Sequence, residues 1–163
     1  QVCMKLFQKE SCNLETPQNK EELNDHIIVC GYGTLGREIV DFLKKFEIRY
    51  ICVDDSIHEV EEGLRRGDNI FLGSMVKSNT LHKLRAEFAV AAIVVDDDKH
   101  VLRVICERLL DINPNLHIIV RVMDDEDAIS LNDLKIYKTV NGKKEIGKKL
   151  AQAAVSCEFK KFH

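Results

Sequence analysis

The sequence contains no apolar run near the roughly 20 residues that a membrane-spanning helix needs, and no signal-peptide pattern opens it. Direct membrane insertion is therefore not expected, and the polypeptide as given reads as soluble. Excess charge of one sign is also small. A formal net charge of −3 gives no general attraction to nucleic acid or to an anionic membrane. The cysteines, at positions 3, 12, 30, 52, 106 and 157, include no Cys-x-x-Cys pair, which argues against a disulfide framework and against zinc. Cys30, Cys52 and Cys106 stand where a small hydrophobe would serve, and are expected as buried free thiols in a reducing cytosol. Gly-x-Ser-x-Gly, His-Glu-x-x-His and P-loop lysine motifs are missing. The histidines, at 26, 58, 82, 100, 117 and 163, fall at expected strand starts, on helix surfaces or at the terminus, none in the setting of a catalytic acid or base. Internal repeats and low-complexity segments are absent too.

What is present is an ordinary globular composition: 163 residues, 45% apolar and 31% charged, enough for one domain with a sizeable core. The first residue is Gln, which suggests a fragment or a processed chain. Residues 1–25 are polar, carry Thr16-Pro17 and the run "NKEELND", and read as a linker in which Met4, Leu6 and Phe7 pack locally. From His26 onward short apolar runs alternate with amphipathic segments. Strands are expected near 26–31, 49–54, 69–72, 90–95, 116–121 and 136–140, and helices near 34–46, 56–66, 78–87, 98–111, 125–134 and 142–157. Runs such as "HIIV" and "AAIVV" are nearly continuous, as in strands covered on both faces. Strand then helix, repeated with right-handed crossovers, predicts an α/β Rossmann-like, doubly wound parallel sheet of order 3-2-1-4-5-6 over residues 26–140. A last helix and tail, 141–163, would close it.

The first strand runs into "GYGTLG". Gly31 permits the tight turn, Gly33 lets the backbone approach a phosphate, and Gly36 lets the helix sit close to the strand. The helix N-terminus then offers unpaired N–H groups and partial positive charge to a pyrophosphate. About twenty residues on, Asp54 ends the second strand, placed to accept hydrogen bonds from both ribose hydroxyls. Asp54-Asp55 continues into Ser56-Ile57 with no basic residue, which disfavours a 2′-phosphate and hence NADP. Tyr32, Thr34, Leu35 and Arg37 complete the expected lining of the turn; Arg37 either pairs with a phosphate or is a solvated first-turn side chain. With little chain left for a substrate domain, the nucleotide reads as an effector rather than a reactant, and the protein as not an enzyme.

Taken together, "HIIVCGYGTLGREIVDFL", "DDSIHEVEEGLRRGDNIFLGS", "AAIVVDDDKHVLRVICERL", "NPNLHIIVRVMD" and "NGKKEIGKKLAQAAV" resemble the RCK (regulator of conductance of potassium) domain, or TrkA N-terminal domain, of potassium channels and transporters. The resemblance spans about His26 to Cys157. It implies a cytosolic sensor, attached to the cell membrane through a pore in the full-length protein, whose paired domains change their mutual angle on binding NAD(H), ATP, ADP or AMP. It also implies a last helix that crosses to a partner subunit. Two departures stand out. Where the family often has Gly-Asp after the third strand, with a polar contact to the nucleotide, this chain has Gly73-Ser74, carried over here as part of the site. Where calcium-gated members have glutamates at the end of the fifth strand, Arg121 and Met123 occur, so that calcium site is not expected.

The run Asp96-Asp97-Asp98 ends the fourth strand at the switch point between the two halves of the sheet. It reads either as a ligand-facing edge or weak cation site, or as a strand end and cap with Asp96 neutralised by Arg121; no tight metal site is expected. In the last helix Ile146, Leu150, Ala154 and Cys157 recur at helical spacing, with Phe159 and Phe162 beyond, which suggests a homodimer through this helix, extended into a ring by helix 98–111. Lys143, Lys144, Lys148 and Lys149 lack the interleaved aromatics of a nucleic-acid patch. The expected function is thus the regulatory domain of a potassium channel. The alternatives are a separate regulatory subunit of a Trk/Ktr-type potassium transporter and a small NAD-dependent reductase completed by its dimer partner.

Overall fold

The computed structural model describes residues 23–161, with side chains to Cys157. The expected linker, with Met4, Leu6, Phe7, Cys3 and Cys12, lies outside the described residues apart from its last few positions, and so do the side chains of Phe159 and Phe162. Each short apolar run forms a strand: β1 (Ile27–Cys30), β2 (Tyr50–Asp54), β3 (Ile70–Leu72), β4 (Ala91–Val94), β5 (His117–Val122) and β6 (Lys138–Asn141). Between them lie α1 (Thr34–Lys45), α2 (Ile57–Arg65), α3 (Ser78–Lys83), α4 (Lys99–Ile112) and α5 (Asp125–Ile129), and α6 (Gly142–Lys161) follows β6. All pairings are parallel and the order is β3-β2-β1-β4-β5-β6, as the alternation and crossover handedness predict.

The two faces of the sheet are covered unequally. On one face Ile28, Val53, Ala92, Val94, Ile118 and Val120 pack against Leu81, Leu84, Leu102, Ile105 and Leu109 from α3, α4 and the segment between α3 and β4. On the other, Val29, Cys52 and Ile70 pack under Val40 and Leu43 of α1 and Val60 of α2. The register aligns Val29 with Ile93 and Ile93 with Ile119, so those isoleucines share this second face, yet both stay partly exposed and join neither core cluster. Cys30, Cys52 and Cys106 are buried free thiols; burial pushes all three thiols up, Cys106 to about 12.

Two helices are shorter than their patterns predict. Helix 78–87 stops at Lys83, because Arg85 turns left-handed (φ 55°) and a 3-10 turn, Ala86–Phe88, takes over. This reversal buries both Leu84 and Ala86 while the Arg85 Nε donates to the Leu23 carbonyl at 2.8 Å. Helix 125–134 stops at Ile129, where the Ser130 hydroxyl donates to the Asp127 carbonyl at 2.7 Å and competes with continued helix. Helix α6 instead runs four residues past its expected end, to Lys161.

Candidate functional site

At the carboxyl end of β1 the chain turns through Gly31 with φ 107°, a conformation that favours glycine, and a Cβ there would lie 2.4 Å from the Val95 carbonyl oxygen. Gly36, one helical turn later, would put a Cβ 2.1 Å from the Gly31 carbonyl oxygen. These two glycines are required by the protein itself. Gly33 is not: its φ is an ordinary −55°, and a Cβ would meet nothing within 4 Å. The space above it is open. Gly33 is also the N-cap of α1, which has no side-chain cap and no acidic residue in its first turn. The bare N-terminus of a 12-residue helix therefore opens onto a cleft of about 420 Å³, a size suited to a small ligand.

One wall of the cleft is the end of β2. Asp54 is mostly buried, its Oδ2 accepting from the Tyr32 backbone N–H and its Oδ1 from that of Ser56, both at 2.8 Å. Each oxygen has used one lone pair, so each keeps one for a ligand hydroxyl. The opposite wall is the end of β4 with its neighbour β5: Val95, Asp96, Asp97 and Arg121. Burial, together with the charges of Asp98, Asp97 and Asp55, pushes the Asp96 carboxyl above its usual range, against the hydrogen bond it accepts from the Asp98 N–H. Arg121 Nη2 pairs with Asp97 Oδ1 at 2.6 Å, while its buried Nε has no partner.

Of the twelve residues expected in the site, the fold brings eight to the cleft: Gly31, Gly33, Thr34, Leu35, Gly36, Asp54, Asp55 and Asp96. The other four do not line it. The Tyr32 side chain turns inward and is wholly buried beneath the turn, leaving only its N–H beside Asp54. Arg37 points to α2, where its Nη2 pairs with Glu59 Oε2 at 2.9 Å while its Nε has no partner, and it does not line the cleft. Gly73 has a packing reason to be glycine, since a Cβ would sit 2.7 Å from Thr80 Cγ2 and 2.8 Å from Phe71 Cε1, and Ser74 stays outside with it; Met75 takes that edge of the cleft. Asp96 is not the partner of Arg121 as expected; the exposed Asp97 is.

Arg121, Val95 and Met75 were not foreseen as lining, and Asp97 only within the acidic run read as a ligand-facing edge. The available signal for Arg121 was its place at the carboxyl end of a parallel strand, the edge where such sheets bind ligands. It is the one cationic side chain lining the cleft among the described residues, and its free Nε–H suits an anion. No histidine lines the cleft, and no group of three or more His, Cys, Asp or Glu is arranged to hold a metal, again among the described residues.

Residues 27–142 match the family model described as the TrkA-N domain. Among curated relatives, Potassium channel protein 1 of Methanocaldococcus jannaschii is 30% identical over 105 residues, covering 62% of this chain and 31% of the relative. The glutathione-regulated potassium-efflux system protein KefC of Klebsiella pneumoniae is 30% identical over 112 residues, 68% of this chain and 18% of the relative. The chain thus spans less than a third of the length of these relatives. Among solved structures, the TrkA-N domain of the inner membrane protein ybaL from Escherichia coli aligns with a TM-score of 0.75 at 21% identity, covering 81% of this chain and 98% of that one. The Kef C-terminal domain of Shewanella denitrificans in AMP-bound form gives 0.70 at 19%, covering 81% and 80%. The GsuK channel bound to NAD gives 0.65 at 18%, covering 78% and 22%. At these identities the structural likeness speaks for the fold.

Proposed function

This chain belongs to the TrkA-N domain family, and from that premise we propose that it is a regulatory domain that binds an adenine nucleotide and passes the resulting change to a potassium-conducting protein. Gly33 carries the ligand reading. The protein gives that position no steric reason to be glycine, whereas a phosphate seated on the α1 N-terminus does. Asp54 holds the ribose hydroxyls, Arg121 meets phosphate charge from across the cleft, and the absence of a basic residue beside Asp54 and Asp55 disfavours a 2′-phosphate. NAD(H), ATP, ADP and AMP are the candidate ligands. Relatives bound to NAD and to AMP support this choice. The nucleotide acts as effector, not reactant.

The direct test is thermal unfolding of ligand-freed protein with each of the four nucleotides and with NADP. A ligand at a hundredfold excess over its dissociation constant stabilises the fold by roughly 2.7 kcal/mol, which raises Tm by about 5–10 °C in a domain of this size. At least one of the four gives such a shift and NADP gives less. If none does, the turn has kept its geometry without a ligand and the reading fails.

The pore partner we assign is a potassium channel, with this domain on its cytoplasmic side. The efflux-system relative supports a second version, regulation of a potassium transporter, on the same site chemistry. We also propose a homodimer, a reading that the unequal sheet supports. On α1, Arg37, Asp41 and Lys44 pair with α2 and the residues just after it, whereas Leu35, Ile39 and Phe42, with Phe46 at the C-cap, recur at helical spacing as a largely exposed apolar stripe, and Ile93 and Ile119 on the same sheet stay partly exposed. Helix α6, about 30 Å long, leaves the sheet with Ile146 61% and Leu150 68% exposed, which supplies an apolar edge for a second copy to cover. Light scattering at tens of micromolar checks this: a dimer is expected, and a monomer removes the proposal.

A further inference from the structure

Beneath the ligand cleft lies a buried polar cluster that no ligand contact explains. The Tyr32 hydroxyl donates to Asp68 Oδ2, Lys44 Nζ donates to Asp68 Oδ1 at 2.6 Å, and Arg66 Nε to Oδ2 at 3.2 Å. The Asp68 side chain is fully buried, and Arg66 continues outward to Asp41 Oδ1 at 2.5 Å. The cluster thus joins the glycine turn to α1 and to the connection between α2 and β3. Burial alone would push the Asp68 carboxyl up, yet the hydrogen bonds from Lys44, Tyr32 and Arg66 outweigh it and hold the group below its usual range. Two cations already balance that carboxylate, so the phenol is not needed for charge.

The place of Tyr32 in the chain shows what the phenol is for. It stands between Gly31 and Gly33, so the backbone on both sides of it is conformationally permissive. Its ring is wedged against α2, where a Cβ on Gly63 would come within 3.1 Å of Tyr32 Cε1, and its own N–H holds Asp54 Oδ2 at 2.8 Å. Fixing this one side chain fixes the next residue, Gly33, and orients the ribose-facing carboxylate. We propose that Tyr32 and Asp68 are positioning residues for the nucleotide, holding the glycine turn in its binding geometry from below without touching the ligand. Without the hydroxyl anchor the competent turn is populated only part of the time, and apparent affinity falls by that fraction.

This inference rests on the nucleotide reading, and the experiment separates the two. Tyr32→Phe keeps the ring in place and removes only the hydroxyl; Asp68→Asn removes the acceptor charge. Ile105→Val, in the core of the opposite face, is the control for ordinary destabilisation. Calorimetric titration of the 163-residue chain with ADP, AMP and NAD should show the dissociation constant raised about five- to tenfold in Tyr32→Phe and in Asp68→Asn. It should be unchanged in Ile105→Val. Hydrogen exchange on nucleotide-free protein should be faster at the amides of residues 32–35 in both anchor variants. Unchanged affinity in Tyr32→Phe, or an equal loss in Ile105→Val, overturns the proposal. If the unsubstituted chain binds none of the three nucleotides, the nucleotide reading falls; unchanged exchange at the turn would then overturn the anchoring role as well.

Discussion

Helices α1 and α4 leave adjacent strands, β1 and β4, at the same edge of the sheet, and their N-termini are finished in opposite ways. At α4, Asp98 Oδ1 accepts from the N–H groups of His100 and Val101 at 2.8 and 3.4 Å, so the helix is closed by its own side chain. At α1 the cap is Gly33, with no side chain and open space above it. The strands are alike, both short and apolar, so the difference lies in the three or four residues that follow each. One end is closed by the protein itself; the other is left open to the cleft. The triple-aspartate run is therefore best understood through its last member, a cap, with Asp96 and Asp97 forming the far wall of the cleft.

The largest effect should come from Gly31→Ala, which forces a side chain into a positive-φ turn and against the Val95 carbonyl. It should cost about 3 kcal/mol or more of folding stability in urea titrations, whereas Gly33→Ala should stay within about 1 kcal/mol of the original. Next, Gly33→Asp should fold normally and give α1 an acidic cap resembling that of α4, but weaken nucleotide binding at least about a hundredfold, or roughly 2.7 kcal/mol. Normal binding by this variant would erase the contrast between the two helix ends. A smaller change is expected from Arg121→Met, on the order of tenfold, or about 1.4 kcal/mol, and greater for ADP than for adenosine in calorimetric titrations; equal losses for both would mean the guanidinium does not meet the phosphate. Asp98→Ala should cost about 1 kcal/mol of stability with the nucleotide dissociation constant unchanged, since that cap serves the helix alone.

The smallest effect lies at the opposite end of the same strands. His26, fully buried, has Nε2 2.8 Å from the Leu84 carbonyl and leaves Nδ1 without a partner. Burial lowers its pKa, partly opposed by the Leu84 hydrogen bond. The folded state therefore takes up a proton less readily than the unfolded chain, whose histidine titrates near 6.5. Stability from this group is complete above about pH 6.5 and is lost as pH falls below it. Urea midpoints at pH 7.5 and 5.5 should show this loss, and His26→Gln should show less of it.

The fold was legible because its signals are periodic and local. Nearly continuous apolar runs gave the strands, the alternation gave the parallel order, and "GYGTLG" gave the turn and the start of α1. Helix lengths were less legible. Nothing local marks Arg85 as left-handed; the requirement that Leu84 and Ala86 both be buried does. Within the site, Gly31, Gly36 and Asp54, whose positions follow from their spacing along the turn and the strand end, line the cleft. Tyr32 and Arg37, whose roles depend on side-chain direction, do not.

By itself, the sequence determined the doubly wound sheet, the edge at which the cleft opens, and the glycines and aspartate that line it, because each follows from spacing along one βαβ unit. Tertiary structure decided the rest. It turned Tyr32 inward to Asp68, gave Arg37 to Glu59 and Arg121 to Asp97, and made Gly73 a packing residue under Phe71 and Thr80. Apart from the Gly73–Phe71 contact, every one of these choices sets a residue against a partner more than five residues away in sequence. The energy of a hydrogen bond or a close contact depends on where that partner stands, which no local pattern contains.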